Sequence, residues 1–435
     1  MISRMIFFSL FLTSTSVLAQ KNAKLELKLE LQVKAMEQQI IEWRRKFHQN
    51  PELSNRENQT GALIAEYLKS LGMEVQFPVA KTGVVGLLKT GKSGPVVALR
   101  ADMDALPINE KNNLPFASKV KVNLGGQETG VMHACGHDAH MAMLMAVAKI
   151  LSDNKKELKG SVKFLFQPAE EGVGPSESPA GAELMIIEGV LENPKVDAIF
   201  GLHIQSLMPS GTLNYRSGAF MAAVDGFDIK VKGKGAHGAT PWEGIDPVVV
   251  GSQIVNGLQT IVSRQTALTE AAAVVTVGSF HAGIRRNIIP DDANLQGTIR
   301  TFGPEMQKKV HEKIKLTATK IAEASGATAE VEIQIMYPAT INDVMLTEKM
   351  VPSLIKAAGK ENVNVVPAAT MAEDFSFFQQ KVPGFFFFLG AYPAGMKLER
   401  KPTHHTADFM IDEASFSTGV KALLNVAVDY LNTSK

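Results

Sequence analysis

Four short segments of this chain concentrate side chains able to hold metal ions or move protons. Cys135-Gly136-His137 sets a thiol and an imidazole on either side of a glycine, which lets the loop fold both side chains toward one ion. Glu170-Glu171 follows the apolar run Val162 to Phe166 through Gln167-Pro168-Ala169. Beside a metal, adjacent carboxylates can divide the work: one binds the ion while the other faces substrate and manages protons. His203 closes a further apolar run after Gly201-Leu202, and His404-His405 lies in a polar stretch near the C-terminus. Each segment alone has an ordinary explanation, a solvated turn for the glutamates or a structural role for a strand-end histidine. Their coincidence in one chain points to metal chemistry. The candidate ligands outnumber what one hydrolytic zinc needs, since such a site keeps about three protein ligands and an open position; two ions sharing a bridge fit better.

The elements that must position these residues can be read from hydrophobic periodicity. Strand-like runs at Val84 to Leu88, Val96 to Leu99, Val162 to Phe166 and Ala198 to Leu202 alternate with helical stretches, which predicts an α/β domain with a mainly parallel sheet covered by helices. Three of the four segments then lie where a strand is expected to end, the place where open α/β sheets bind their ligands. Cys135-Gly136-His137 leads at once into a helix predicted over Ala139 to Ile150. Upstream, Leu25, Leu27, Leu29, Leu31 and Val33 alternate with polar residues, and Met36, Ile40, Ile41, Trp43 and Phe47 fall at helical spacing. An extended or helical entry is expected there, leading into a helix that stops before Pro51.

Residues 220–336 have a different pattern. A strand at Val224 to Val231, a helix at Pro247 to Ser263, strands at Ala272 to Phe280 and Ala293 to Thr301, a helix from Pro304 to about Ser325 and a strand at Ala329 to Ile335 give βαββαβ, the order of a ferredoxin-like sandwich. From Asn342 the first pattern resumes, with a buried strand at Phe385 to Leu389 and a closing helix at Phe416 to Leu431. A catalytic domain split into 20–219 and 337–435, with 220–336 inserted, is the expected organisation.

Composition narrows the function. At 435 residues with 45% hydrophobic content the chain suits two compact domains. Lys plus Arg number 45 against 44 Asp plus Glu, so no broad basic field exists to hold nucleic acid, and small substrates are the natural partners. There is no internal repeat and no Gly-rich phosphate loop. Met1 to Ala19 reads as a secretory leader, with Arg4, the apolar stretch Met5 to Leu12 and the small-residue site Val17-Leu18-Ala19. A soluble protein exported to the periplasm or beyond is expected, the alternative being an uncleaved anchor. An exported chain with the single Cys135 has no internal disulfide, so the thiol is either a core residue or is held for its chemistry.

Several segments, taken in order, resemble one family: Arg44-Arg45 with His48-Gln49-Asn50-Pro51-Glu52-Leu53-Ser54, Leu99-Arg-Ala-Asp-Met-Asp-Ala-Leu-Pro107, Met132-His-Ala-Cys-Gly-His-Asp138 and Gln167-Pro-Ala-Glu-Glu-Gly172. They are similar to those of M20 metallopeptidases, in the amidohydrolase branch of hippurate hydrolases, aminoacylase-like enzymes and auxin-conjugate hydrolases, over residues 38–431. The resemblance implies a zinc-exopeptidase-like catalytic domain and an inserted lid and dimerisation domain, hence a homodimer. It implies two divalent ions per subunit, zinc or manganese with cobalt as an option. Cys135 would bridge them, with His137 and His203 on one ion and Glu171 and His405 on the other. Glu170 would be the general base, taking a proton from water activated between the ions and returning it to the leaving amine. His237, in Gly233-Lys-Gly-Ala-His-Gly-Ala-Thr-Pro241, would reach a partner subunit's site and steady the oxyanion. Asn287 and Arg300 would meet a substrate carboxylate, the alternative for Arg300 being a strand-surface charge. Asp102 would orient a ligand. Glu373-Asp374 matches a segment near the site.

The chain departs from the family pattern in two places. Ala407 stands where a proline is usual, and the doubled histidine leaves His404 and His405 both open as the ligand; counting back from Phe409 favours His405. Trp242 after Pro241 is also unusual and bears on the lid's edge. The expected activity is cleavage of the amide bond of N-acyl amino acids. A di-metal carboxypeptidase or dipeptidase of the same fold is the runner-up; a cysteine hydrolase using Cys135 and a non-catalytic periplasmic binding protein are more remote.

Overall fold

The structure is a computed structural model. Residues 1–4, 393–401 and 434–435 lie outside the described residues, as do the side chains of 5–22 and 175, so the leader expected at 1–19 is not among the described features. Two compact units emerge. The first comprises 1–215, 345–365 and 382–435; the second comprises 216–344 and 366–381.

The first unit is built on an eight-stranded sheet. Its centre is parallel, in the order Ser161–Gln167, Val96–Asp102, Ala198–Pro209, Gly384–Tyr392. Antiparallel strands Glu74–Val79 and Gly83–Lys89 flank one side, and Leu213–Tyr215 with Val363–Val365 flank the other. Phe385, Phe386, Phe387 and Phe388 are all buried, as a strand covered on both faces requires. Register aligns the carboxyl ends: Asp102 pairs with Gln167, and Phe388 with His203.

Helices Met5–Gln49, His137–Asp153 and Phe416–Leu431 pack on one another, and the last two also on the sheet. The entry segment is helical, not extended. Leu25, Leu29, Val33, Ile40 and Phe47 are buried, while Leu27 and Leu31 are each 59% exposed, so the fourfold spacing outweighs the twofold one. Helix His137–Asp153 is buried on nearly every side because Ala and Met fill it. No helix among the described residues is long and apolar enough to cross a membrane.

The second unit holds a four-stranded antiparallel sheet in the order Ala273–Ala282, Asp292–Thr301, Ala223–Lys232, Thr328–Tyr337. Helices Pro247–Thr260 and Pro304–Ala324 pack against it through Val250, Ile254 and Leu258 and through Val310, Ile314, Ala318 and Ala322. The first of these helices ends in a π turn, Ile261–Gln265. The unit is larger than 220–336. Strand Gly218–Met221 pairs with Thr340–Asn342, and Ala222 donates to the Ala369 carbonyl at 3.0 Å, which draws 216–219, 337–344 and 366–381 into it.

Candidate functional site

Three loops of the first unit, at 135–137, 169–171 and 404–405, converge on strand Ala198–Pro209, which carries His203 within its length and does not end there. Between Cys135 and His137, Gly136 takes φ 97, a left-handed conformation, and a Cβ there would lie 2.3 Å from Ile204 Cγ2. Asp138, next along, is buried against Arg44 Nε at 2.9 Å and His48 Nδ1 at 2.7 Å, which pins the loop at its helix start. Ala169 and His405 are non-glycine residues in the left-handed region, at φ 53 and φ 61. Hydrogen bonds hold both: Ala169 N–H donates to Glu57 Oε1 at 2.9 Å, and His405 N–H to the Ala134 carbonyl at 2.9 Å. Such conformations cost on the order of 1 kcal/mol or more each and cluster at functional sites.

The side chains that these loops and this strand present are largely buried and complementary. His137 Nδ1 donates to the Asp104 carbonyl at 2.9 Å, and His203 Nδ1 to the Ile204 carbonyl at 2.7 Å. Each ring therefore turns an Nε2 lone pair inward. His203 Nε2 lies 3.4 Å from Cys135 Sγ. His137 Nε2 is buried without a hydrogen-bond partner, with Asp102 Oδ2 at 3.8 Å, Glu170 Oε2 at 3.9 Å and Glu171 Oε1 at 4.0 Å. His405 Nε2 stands 3.1 Å from Glu171 Oε1. Cys135, His137 and His203 form one group close enough to hold an ion, and Cys135, Glu171 and His405 form another, so the thiol is common to both.

Electrostatics point the same way. Burial, with Glu171 and Glu170 nearby, drives the Cys135 thiol well above its ordinary range. Burial opposes a charge on His137, yet Asp102, Asp104 and Glu171 pull its imidazole up to about 10. Burial, with His140 and His404 nearby, pushes His203 well below its ordinary value. A buried cluster of carboxylates around lone-pair donors is short of positive charge, which a proton or a metal cation can supply. The donor set of thiolate, imidazole and carboxylate, with an orphaned Nε2 and a thiol shared by both groups, fits two divalent cations.

A family model, "Peptidase family M20/M25/M40", matches residues 98–429. The chain belongs to this family. Thermostable carboxypeptidase 2 of Saccharolobus solfataricus is 41% identical over 93% of this chain and 98% of its own length. N-acetylcysteine deacetylase of Bacillus subtilis is 39% identical over 92% and 99%. Among solved structures, the YXEP protein of Bacillus subtilis, described as a dinuclear metal binding peptidase, superposes with a TM-score of 0.76 at 37% identity, over 92% of this chain and 100% of that one. This M20 chain sits in the amidohydrolase branch and is a metal-dependent hydrolase acting on linear amides.

Within this M20 site, two residues not singled out by sequence do much of the positioning. Asp104 accepts His137 Nδ1 on its carbonyl and on Oδ1 at 3.2 Å, and its Oδ2 takes the Glu171 N–H at 3.0 Å. His140 donates Nδ1 to Asp102 Oδ1 at 2.6 Å and accepts the Ile204 N–H on Nε2 at 2.9 Å. Asp102, expected to orient a ligand, spends its hydrogen bonds on His140 and on Arg100 at 2.6 Å; the bonds that orient His137 come from Asp104. Burial opposes ionisation of Asp102, but His137, His140 and Arg100 hold it well below the carboxylate range. Both omissions had a visible signal, since Asp104 repeats Asp102 at strand spacing and His140 follows His137 at helical spacing.

The remaining candidates belong to the second unit. His237, in the short strand Ala236–His237, is exposed and pairs with Ile288, beside Asn287, whose carbonyl accepts the Gly238 N–H at 2.9 Å. His237 Nδ1 accepts the Ala239 N–H at 3.0 Å, so a neutral ring carries its proton on Nε2. Arg300 lies in the four-stranded sheet, paired with Val224 and Val274, and burial lowers its pKa against the pull of Asp225. Glu373 and Asp374 are buried in the same unit, and Trp242 is 78% exposed on it.

Proposed function

We propose that this M20 enzyme hydrolyses the amide bond of small N-acyl amino acids at two divalent cations, zinc or manganese. The observation that carries the reading is the inward turn of His137 Nε2 and His203 Nε2 onto the shared Cys135 thiol, with Glu171 and His405 completing a second group. When bound, the cations polarise the scissile carbonyl and ease deprotonation of the attacking water.

The protein's own groups do the rest. Glu170, buried beside the same cluster, takes the water's proton as the new C–O bond forms and delivers it to the nitrogen as the C–N bond breaks. The acid's remaining proton passes to the amine, so that a carboxylate and an ammonium leave. His237 Nε2–H, free of its neighbour's backbone bond, donates to the developing oxyanion, contributed across a homodimer. Asn287 and Arg300 receive the amino-acid carboxylate. Carboxypeptidase action is the second reading, favoured by the 41% identity to a thermostable carboxypeptidase. Export rests on the leader-like Met1 to Ala19.

The test is hydrolysis of a panel of N-acetyl, N-benzoyl and longer N-acyl amino acids alongside dipeptides, with zinc or manganese added and with chelator controls. Faster turnover of N-acyl amino acids supports the proposal; a preference for peptides gives the second reading.

A further inference from the structure

We infer that His404 is a positioning residue that donates an N–H hydrogen bond to the Cys135 sulfur and is not itself a metal ligand. The inference rests on the proposed reading of Cys135 as the thiolate shared by two cations. Both histidines of the His404-His405 pair approach the cluster, and their surroundings give them opposite roles. His404 Nε2 accepts the Ser206 N–H at 3.3 Å, so the lone pair on that nitrogen is occupied. A neutral imidazole with an accepting Nε2 carries its proton on Nδ1. That nitrogen faces Cys135 Sγ at 3.7 Å.

The ring is held in this pose. It packs against Phe409 with centroids 4.9 Å apart and against His203 at 5.4 Å. His405 has a different partner, with Nε2 3.1 Å from Glu171 Oε1. The sulfur therefore meets two imidazoles of opposite character: a lone pair from His203 Nε2 at 3.4 Å, and a hydrogen from His404 Nδ1. A thiolate with Glu170, Glu171 and Asp102 nearby gains no stabilisation from its carboxylate neighbours, and a neutral N–H donor supplies some without adding a ligand. An N–H···S bond draws charge off sulfur, which raises the energy of thiolate-to-metal charge transfer.

Cobalt-loaded protein tests this, because a cobalt-bound thiolate has a near-ultraviolet charge-transfer band. His404→Phe keeps an aromatic ring against Phe409 and removes the donor, whereas His404→Gln restores an N–H. Wild type and both variants are titrated with cobalt after a far-ultraviolet check of folding. The expected result is full metal stoichiometry in all three, a band moved to lower energy in His404→Phe with about tenfold weaker cobalt binding, and a partial return in His404→Gln. An unmoved band in His404→Phe overturns the hydrogen bond. Loss of one cobalt equivalent in both variants overturns the assignment by making His404 a ligand. Wild-type protein that binds cobalt with no thiolate band contradicts the reading of Cys135 instead. Should His404→Phe fail to fold, His404→Gln decides by its stoichiometry and band.

Discussion

Asp104 holds His137 by two acceptors, its backbone carbonyl at 2.9 Å and its carboxylate at 3.2 Å, while the other carboxylate oxygen caps the Glu171 amide at 3.0 Å. One side chain thus sets the aim of two candidate ligands from different loops. Such outer partners typically account for about 10–100-fold in metal affinity. Asp104→Asn is expected to weaken zinc binding by about that factor while the protein still folds, as measured by competition with a chromophoric chelator. Unchanged affinity would remove Asp104 from the site's support.

Gly136 is predicted to be irreplaceable. A Cβ there meets Ile204 Cγ2 at 2.3 Å and the backbone sits at φ 97, so Gly136→Ala combines overpacking with left-handed strain. A loss of about 2–4 kcal/mol in stability is expected, together with loss of bound metal because Cys135 and His137 flank the position. Chemical denaturation measures the first and elemental analysis the second. Adding Ile204→Ala should recover part of the stability; a Gly136→Ala protein as stable as wild type would show that the loop has room.

The anchor behind the loop gives a pH dependence. Burial and Arg44 oppose a charge on His48, but hydrogen bonds to Asp138 and Glu110 outweigh them and raise its pKa. A histidine raised in the folded state contributes stability that is fully present below its unfolded value, about 6.5, and is lost as pH rises through the folded value. His48→Asn should therefore cost more stability near pH 5 than near pH 9, compared by urea titration at both. An equal cost at the two pH values would mean that folding leaves the His48 pKa unmoved.

His237 is predicted to act in turnover and not in metal retention. His237→Ala should lose activity by about 100-fold or more at unchanged metal content. If the residue serves a partner's site, mixing it with a Glu170→Gln chain should restore some activity through hybrid dimers. A mixture as inactive as its components would count against a shared site.

The architecture was largely legible because apolar periodicity reports burial directly. The run Phe385 to Leu389 could only be a strand covered on both faces, and Pro304 with Val310, Ile314 and Ala318 marks one face of a helix. Periodicity was ambiguous where two periods overlap, as at Leu25 to Val33, and there tertiary packing decided. The borders of the inserted unit were hidden because they depend on pairing between Gly218–Met221 and Thr340–Asn342, partners distant in sequence.

Within the candidate site, residue types named the cluster but not its wiring. Cys135, His137, Glu171, His203 and His405 stand out as metal-binding types, and the structure brings them together. Which nitrogen of each ring faces inward depends on backbone carbonyls at Asp104 and Ile204, and no residue type records a carbonyl's direction. His404 was ambiguous for the same reason, since only the Ser206 amide fixes its tautomer.

The most direct test of two cations sharing Cys135 is the metal content of dialysed, zinc-loaded protein, read by elemental mass spectrometry alongside activity on an N-acyl amino acid. Two zinc ions per wild-type chain are expected, fewer in Cys135→Ala and His203→Ala, and two in Glu170→Gln with turnover abolished. Full activity after exhaustive metal stripping, or near-normal turnover by Glu170→Gln, would contradict it.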